Sequence, residues 1–103
     1  MSKLYDHHQI DEIITSRIRL AVMAVLSTVD EIDFTSLCNE VNATRGNLSV
    51  HLKKLEEGKY IKITKEFVEN KPLTTCKATL KGVKAFSSYL NMVEQFAANK
   101  NKN

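Results

Sequence analysis

The sequence contains few prolines, glycines and cysteines and no long apolar run, which are the features that mark fibrous, disulfide-rich and membrane proteins. Among its 103 residues there are 1 proline, 3 glycines, 2 cysteines and no tryptophan. So little proline and glycine excludes a collagen-like or low-complexity chain. Two cysteines in unrelated contexts do not make a disulfide framework, and they favour a reducing compartment. The longest apolar run, residues 20–26, is far shorter than the roughly 18 residues of a membrane helix. No signal peptide is visible either, so we expect a cytoplasmic protein without membrane contact.

Size and composition predict one globular domain over residues 1–103, with 43% hydrophobic and 26% charged residues. The net charge of +3 is unevenly distributed. Residues 1–41 carry 3 basic and 7 acidic side chains, whereas residues 42–103 carry 12 basic and 5 acidic ones. This asymmetry indicates a surface that meets a polyanion, with a random division of solvated charges as the alternative.

The first half of the chain reads as helical. Apolar residues at three- and four-residue steps predict an amphipathic helix over 11–27, with Asp11 or Thr15 as its N-cap. A short β-compatible segment at 32–34 follows. Thr35 is then the expected cap of a short helix over 36–41.

A turn of three residues, 42–44, separates this helix from the next, which we expect over 45–57 with Thr44 as its cap. Leu48, Leu52 and Leu55 form its single apolar stripe, so its other faces are polar. Gly58 stands where a left-handed residue commonly ends a helix.

The second half predicts a β-hairpin and a closing helix. Strands are expected at 60–68 and 73–78, joined by a turn at 69–72. Its basic tip and flank consist of Lys62, Lys65, Lys71 and Lys77. Thr79 is the expected cap of a helix over 80–98, which carries more apolar surface than one small domain can bury. A polar tail follows at 99–103.

This order of elements is that of a winged helix-turn-helix, a mainly α member of the α+β class with a two-stranded wing. The body covers about 11–79, and the helix over 80–98 follows it. In such a fold the helix over 45–57 is the recognition helix, which enters the major groove of DNA.

The local sequence also resembles short winged-helix transcriptional regulators related to the MarR and ArsR families. The resemblance is most specific at residues 46–57, Gly-Asn-Leu-Ser-Val-His-Leu-Lys-Lys-Leu-Glu-Glu, and it extends to Thr79-Leu80-Lys81-Gly82. It implies a cytoplasmic, homodimeric, DNA-binding regulator whose terminal helices form most of the dimer interface, so it makes the helix over 80–98 the expected dimerisation helix. The sequence departs from the group at Lys59, where glycine is usual.

Candidate DNA contacts lie mainly on the recognition helix. Arg45 is the expected base reader, because its guanidinium can bridge O6 and N7 of guanine. Asn47 can bridge an adenine, Val50 can meet a thymine methyl group, and Gly46 allows close approach of the backbone. Thr44 and Ser49 complete the set. The expected phosphate contacts are Lys53, Lys54, Lys62, Lys65 and Lys71, with a solvated surface as the alternative.

Other readings remain open. His51 is expected to pack inward more than to contact DNA. Cys38 and Cys76 are expected to be buried and inert, but a metal- or redox-responsive regulator would use them, with His7 and His8 as further ligands. A winged helix that binds protein instead of DNA is the second alternative. No catalytic constellation is visible, so we expect neither an enzyme nor a cofactor, and no effector is identifiable.

Overall fold

A computed structural model describes residues 6–101. Its elements are a 3-10 turn at His7–Gln9, α1 (Arg17–Leu26), β1 (Ile32–Asp33), α2 (Phe34–Val41), α3 (Arg45–Glu57), β2 (Ile61–Val68), β3 (Lys71–Ala78) and α4 (Leu80–Asn101). The winged-helix order predicted from the sequence is confirmed. The predicted segments at residues 1–5 and 102–103 lie outside the described residues.

The first helix is shorter than the sequence predicts. α1 begins at Arg17 and not at residue 11, because Ser16 is its N-cap and accepts a hydrogen bond from the amide of Arg19. Asp11 caps a separate turn instead, in which its Oδ1 accepts from the amides of Ile13 (2.8 Å) and Ile14 (3.1 Å). Ile14 is fully buried from this turn, which explains why the apolar spacing looked continuous with α1.

The start of α2 also corrects the prediction. The helix begins at Phe34, and its N-cap is Asp33 rather than Thr35. Both carboxylate oxygens of Asp33 are used, one by the amide of Ser36 at 3.0 Å and the other by its hydroxyl at 2.7 Å. These hydrogen bonds lower the pKa of Asp33, because they stabilise the ionised carboxylate.

The turn between α2 and α3 is as predicted. α2 ends at Val41, and its C-cap Asn42 has a left-handed φ of 53°, a conformation that asparagine tolerates well. Thr44 is the N-cap of α3, and its hydroxyl accepts from the amide of Asn47 at 3.2 Å. The tight connection fixes α3 against α2, and Leu48, Leu52 and Leu55 enter the core as expected.

The end of α3 differs from the prediction at one residue. Gly58 is right-handed (φ −76°), and Lys59 takes the left-handed conformation with φ 64°. The amide of Tyr60 then donates to the carbonyl of Leu55 at 2.9 Å, which closes the helix in the Schellman manner. Gly58 has a different role, since a Cβ there would lie 2.8 Å from Cδ1 of Ile13.

The sheet has three antiparallel strands in the order β1-β3-β2, so the short first strand joins the predicted hairpin. β2 and β3 pair from Ile61–Ala78 to Val68–Lys71. The turn is Glu69–Asn70 alone, both with positive φ, a two-residue type I′ turn. The prediction of a turn over 69–72 is therefore wrong at its end. Pro72 belongs to β3, where β1 does not reach and no second ladder needs its amide.

The last helix is seated on the core through its first turn. Thr79 is its N-cap as predicted, and its hydroxyl accepts from the amide of Gly82 at 3.0 Å. Gly82 lies so close to Tyr60, the residue before β2, that a Cβ would stand 2.0 Å from its carbonyl oxygen. α4 packs on α1 and β3, and it continues to Asn101, three residues beyond its predicted end. The core beneath it consists of Ile14, Val22, Met23, Leu26, Leu37, Cys38, Leu48, Leu52, Leu55, Tyr60, Ile61 and Cys76.

Candidate nucleic-acid interface

α3 presents three distinct faces around its buried leucines. Gly46, Val50, Lys53 and Glu57 follow each other at four- and three-residue steps opposite the core, and all are exposed. This outward strip faces directly away from the core. Arg45, Ser49 and Glu56 lie on the side towards the wing, and Asn47 and Lys54 lie on the side towards α1.

An open cavity with a volume of about 770 Å³ lies between α3 and the wing. We call it the helix–wing groove; it is lined by Phe34, Arg45, Ser49, Leu52, Lys53, Glu56, Ile63, Lys65 and Thr74. Three cations and one carboxylate stand on its walls, which gives the groove a positive balance. The floor is apolar, so the charged groups are held at its rim. Such a rim suits a chain of phosphates that passes between the helix and the wing.

Arg45 is held in place by residues that the sequence analysis did not single out. Its guanidinium lies over the ring of Phe34, 4.7 Å from the ring centroid, and Nη1 donates to the hydroxyl of Thr35 at 3.1 Å. The stacking and the single hydrogen bond orient the planar group and use one of its five donors. Arg45 is therefore preorganised at the mouth of the groove. Only the tertiary contact between α2 and α3 reveals this support.

The opposite side of α3 is tied to α1. Nη1 of Arg19 lies 2.8 Å from Nδ1 of His51, and Nε of Arg19 donates to the carbonyl of Ile13. Burial lowers the pKa of His51, and the charges of Arg19 and Lys54 add to the effect. His51 thus packs against α1, as expected. Asn47 and Lys54 share this side of the helix, apart from the helix–wing groove.

The strand register divides the lysines of the wing between its two faces. Lys65 pairs with Thr74 and lies on the face that lines the groove, together with Ile63 and Phe67. Lys62 and Lys71 lie on the other face. The tip itself is more apolar than predicted, since Phe67 is 78% exposed. Its alternation with Ile61 and Ile63 is visible in the sequence, but its exposure follows from the length of the hairpin.

Every predicted contact residue is exposed. The structure brings Arg45, Ser49, Lys53 and Lys65 together in the helix–wing groove. It places Gly46 and Val50 on the outward strip, whereas Asn47 and Lys54 lie on the α1 side of α3. Gly46 is unconstrained by the protein, because a Cβ there would meet nothing within 4 Å.

α4 exposes a second apolar face beside the one that packs on the core. Its residues have the spacing of a coiled-coil seam; they are Val83, Leu90, Val93 and Ala97, whereas the half-buried Phe86 at its edge packs against the core. Val83, Leu90 and Val93 are 37%, 45% and 42% exposed. We call this set the α4 seam. Its exposure in a single chain indicates a surface that another apolar surface covers.

Comparison with known proteins agrees with this geometry. Residues 18–97 match the family described as winged helix DNA-binding domain. The chain belongs to this winged-helix family. It is also 34% identical over 88 residues to an uncharacterized protein from Methanocaldococcus jannaschii, which covers 85% of this chain and 96% of that protein.

Solved structures show the same winged-helix fold. A transcriptional regulator homologue from Pyrococcus horikoshii superimposes with a TM-score of 0.74 at 24% identity, over 89% of this chain and 96% of that chain. A MarR family transcriptional regulator from Silicibacter pomeroyi superimposes with a TM-score of 0.67 at 17% identity, over 85% of this chain and 58% of that chain. The winged-helix protein therefore has a MarR-like fold, as the resemblance implied.

The cysteines of the winged-helix protein are buried, with Cys38 at 7% and Cys76 at 1% exposure. Burial raises the pKa of Cys76 to about 11, which disfavours the reactive thiolate. Within residues 6–101, one group of three metal-ligating side chains lies close together, Asp6, His7 and His8, and it contains neither cysteine. None of the helices described is long and apolar enough to cross a bilayer.

Proposed function

We propose that this winged-helix protein is a homodimeric, sequence-specific transcriptional regulator. α3 enters the major groove, and the wing contacts the phosphate backbone. The observation that carries the proposal is the helix–wing groove, in which Arg45, Lys53 and Lys65 surround a surface open to solvent. An exposed face that carries Lys53 beside a cationic groove suits a polyanion, whereas a protein partner would favour an apolar α3.

Base recognition is assigned to the first half of α3. Arg45 is the expected guanine reader, because its guanidinium is oriented by Phe34 and Thr35 before any ligand arrives. Val50 is 57% exposed on the outward strip, where it can meet a thymine methyl group. Gly46 leaves space for a sugar or phosphate to approach the helix backbone. Asn47, on the side of α3 towards α1, is assigned to bases on that side of the DNA major groove.

Phosphate contacts are assigned to residues at the rim. Lys53 and Lys65 face each other across the helix–wing groove, with Ser49 as a hydroxyl donor on its wall; Thr44, the N-cap of α3, is a second hydroxyl donor. Lys54, Lys62 and Lys71 lie outside the groove and serve phosphates on its two sides. Each such contact releases about one counterion, so affinity falls steeply with salt.

Dimerisation is assigned to the α4 seam. Two seams with three- and four-residue spacing can interdigitate as knobs into holes, and this would cover the exposed side chains of Val83, Leu90 and Val93. A dimer also presents two copies of α3 to two half-sites on one DNA duplex. We place its action on DNA in the cytoplasm, and we assign it no catalytic step.

The test is fluorescence anisotropy with DNA from upstream of its own gene and with unrelated DNA of equal length, over a salt series. Wild-type protein should bind the first more tightly, with affinity that falls steeply with salt. Lys53→Ala should reduce the slope of log affinity against log salt by about 1. Arg45→Ala should lose the discrimination between the two duplexes, by a factor of about 10 or more.

Lys84→Ala is the matched control, because Lys84 is exposed on α4 and away from the groove; its affinity should equal that of wild type. Equal affinity of the wild-type protein for both duplexes at every salt concentration would contradict sequence-specific binding. No binding even at low salt would favour the protein-binding alternative.

A further inference from the structure

The tip of the wing exposes an aromatic ring that the folded chain does not use. Phe67 is 78% exposed, more than any other large apolar side chain in the described residues. It pairs with Pro72, which is also exposed. Because this phenylalanine contributes nothing to the core, it leaves a large apolar area in water. A binding partner that covers the ring would remove this area from water.

The ring lies on the same face of the wing as the helix–wing groove. Ile63, Lys65 and Phe67 alternate on one face of β2, and the first two line the groove. Phe67 is four residues beyond Ile63, a rise of about 13 Å along the strand. The tip therefore projects past α3 on the groove side, towards whatever the groove holds.

The charges around the tip favour a polyanion over an apolar protein surface. The hairpin carries four lysines, at positions 62, 65, 71 and 77, against Glu66 and Glu69. Lys65 lies on the same face as Phe67 and Pro72, whereas Lys71 lies on the other face. A partner must accept an apolar ring beside a cation. The minor groove of DNA does so, because its floor consists of base and sugar edges and its rims are phosphates.

We propose that Phe67, backed by Pro72, is an apolar wedge for the minor groove adjacent to the major groove that α3 occupies. The proposal rests on the proposed function, since α3 determines where the wing arrives. Insertion of an apolar side chain partly unstacks a base step and bends the duplex towards the major groove. Glu69, at the turn, opposes entry through its repulsion of the phosphate rims.

The first test compares two apolar residues on opposite faces of the wing, Phe67 and Val68. The probe is a duplex enriched from a random library by binding to wild-type protein. Phe67→Ala should weaken binding to this duplex on the order of tenfold. Val68→Ala is the matched control on the other face and should change affinity less than about twofold, while Glu69→Gln should tighten binding. Phe67 is exposed, so these changes leave the core intact.

The second test uses the absence of tryptophan from the sequence. Phe67→Trp creates a single reporter at the tip, whose emission should be quenched on addition of the duplex. Netropsin, which fills the minor groove, should restore the emission. Bending, measured by energy transfer between the ends of the duplex, should be greater with wild-type protein than with Phe67→Ala.

The outcomes separate this inference from the proposed function. If Lys53→Ala weakens binding but Phe67→Ala matches wild type, the wedge is refuted and α3 recognition stands; the tip is then a surface for protein. Equal losses in Phe67→Ala and Val68→Ala would also refute it, since they would indicate general damage to the wing. If no duplex is enriched, both proposals fail.

Discussion

α3 and α4 are both amphipathic helices, but they treat their outward faces differently. α3 buries Leu48, Leu52 and Leu55, and Val50 is the one large apolar side chain among its exposed residues. α4 packs one apolar side on the core and exposes a second, with Leu90 at 45% and Val93 at 42%. Burial of exposed apolar surface is favourable and exposed cations attract anions. The exposed faces of α3 and α4 therefore favour partners of different chemistry.

Each helix also carries a glycine in its first turn, and the two glycines have opposite surroundings. A Cβ at Gly82 in α4 would overlap the carbonyl oxygen of Tyr60, whereas a Cβ at Gly46 in α3 would meet nothing. The first glycine therefore serves the fold. The second is not required by any packing contact of the described residues. Four predictions test this contrast.

The largest effect is expected from Gly82→Ala. The new Cβ would stand 2.0 Å from a backbone oxygen, and backbone cannot move aside as a flexible side chain can. α4 must move away from Tyr60, which should lower the free energy of unfolding by about 3 kcal/mol or more. Urea denaturation monitored by circular dichroism measures it. A loss below about 1 kcal/mol would show that the seating of α4 is looser than the structure describes.

A charge in the α4 seam should abolish the dimer without harming α3. Leu90→Glu places a carboxylate where the proposed interface is dry, and burying an unpaired charge is costly. Sedimentation equilibrium should show a monomer, and DNA affinity should fall about 100-fold because the two half-sites are bound separately. Asn91→Glu adds the same charge one residue away, outside the seam, and should remain a dimer. An unchanged dimer in Leu90→Glu would assign the interface to another surface.

Tyr60 joins the end of α3 to the start of α4, and its hydroxyl donates to Asp11. Tyr60→Phe removes this hydrogen bond and should cost about 1–2 kcal/mol of stability. Burial, with Asp11, raises the pKa of Tyr60 to about 12. The folded state thus favours the protonated phenol, so stability should be lost as the pH rises from about 10 to 12. Thermal melts over this range should show a smaller pH dependence in Tyr60→Phe than in wild type.

The smallest change in stability is expected from Gly46→Ala. With no neighbour to clash, the alanine should stabilise α3 by about 0.5–1 kcal/mol. Under the proposed function it should still weaken DNA binding, because the added methyl group holds the DNA backbone away from the helix. Melting temperature and anisotropy on one preparation measure both effects. Stabilisation with unchanged affinity would remove Gly46 from the interface.

Much of the fold was predictable because its signals are local. The leucine stripe of α3, the Thr44 and Thr79 caps and the alternation in β2 each depend on residues a few positions apart. The errors occur where two local signals compete: Asp33 displaces Thr35 as the cap of α2 because its carboxylate engages both polar groups of Ser36. The candidate site was predictable as a set of exposed residues, but not as an arrangement.

The sequence by itself determined the order of the elements, the buried stripe of α3 and the apolar excess of α4, because periodicity and capping are properties of neighbouring residues. Only the tertiary structure decided which residues meet. It seats Arg45 on Phe34, divides the wing lysines between two faces, and gives the left-handed position to Lys59. Gly58 is instead required as glycine because Ile13 packs where a Cβ would lie. These choices depend on segments distant in sequence, whose approach is decided by the packing of the whole chain.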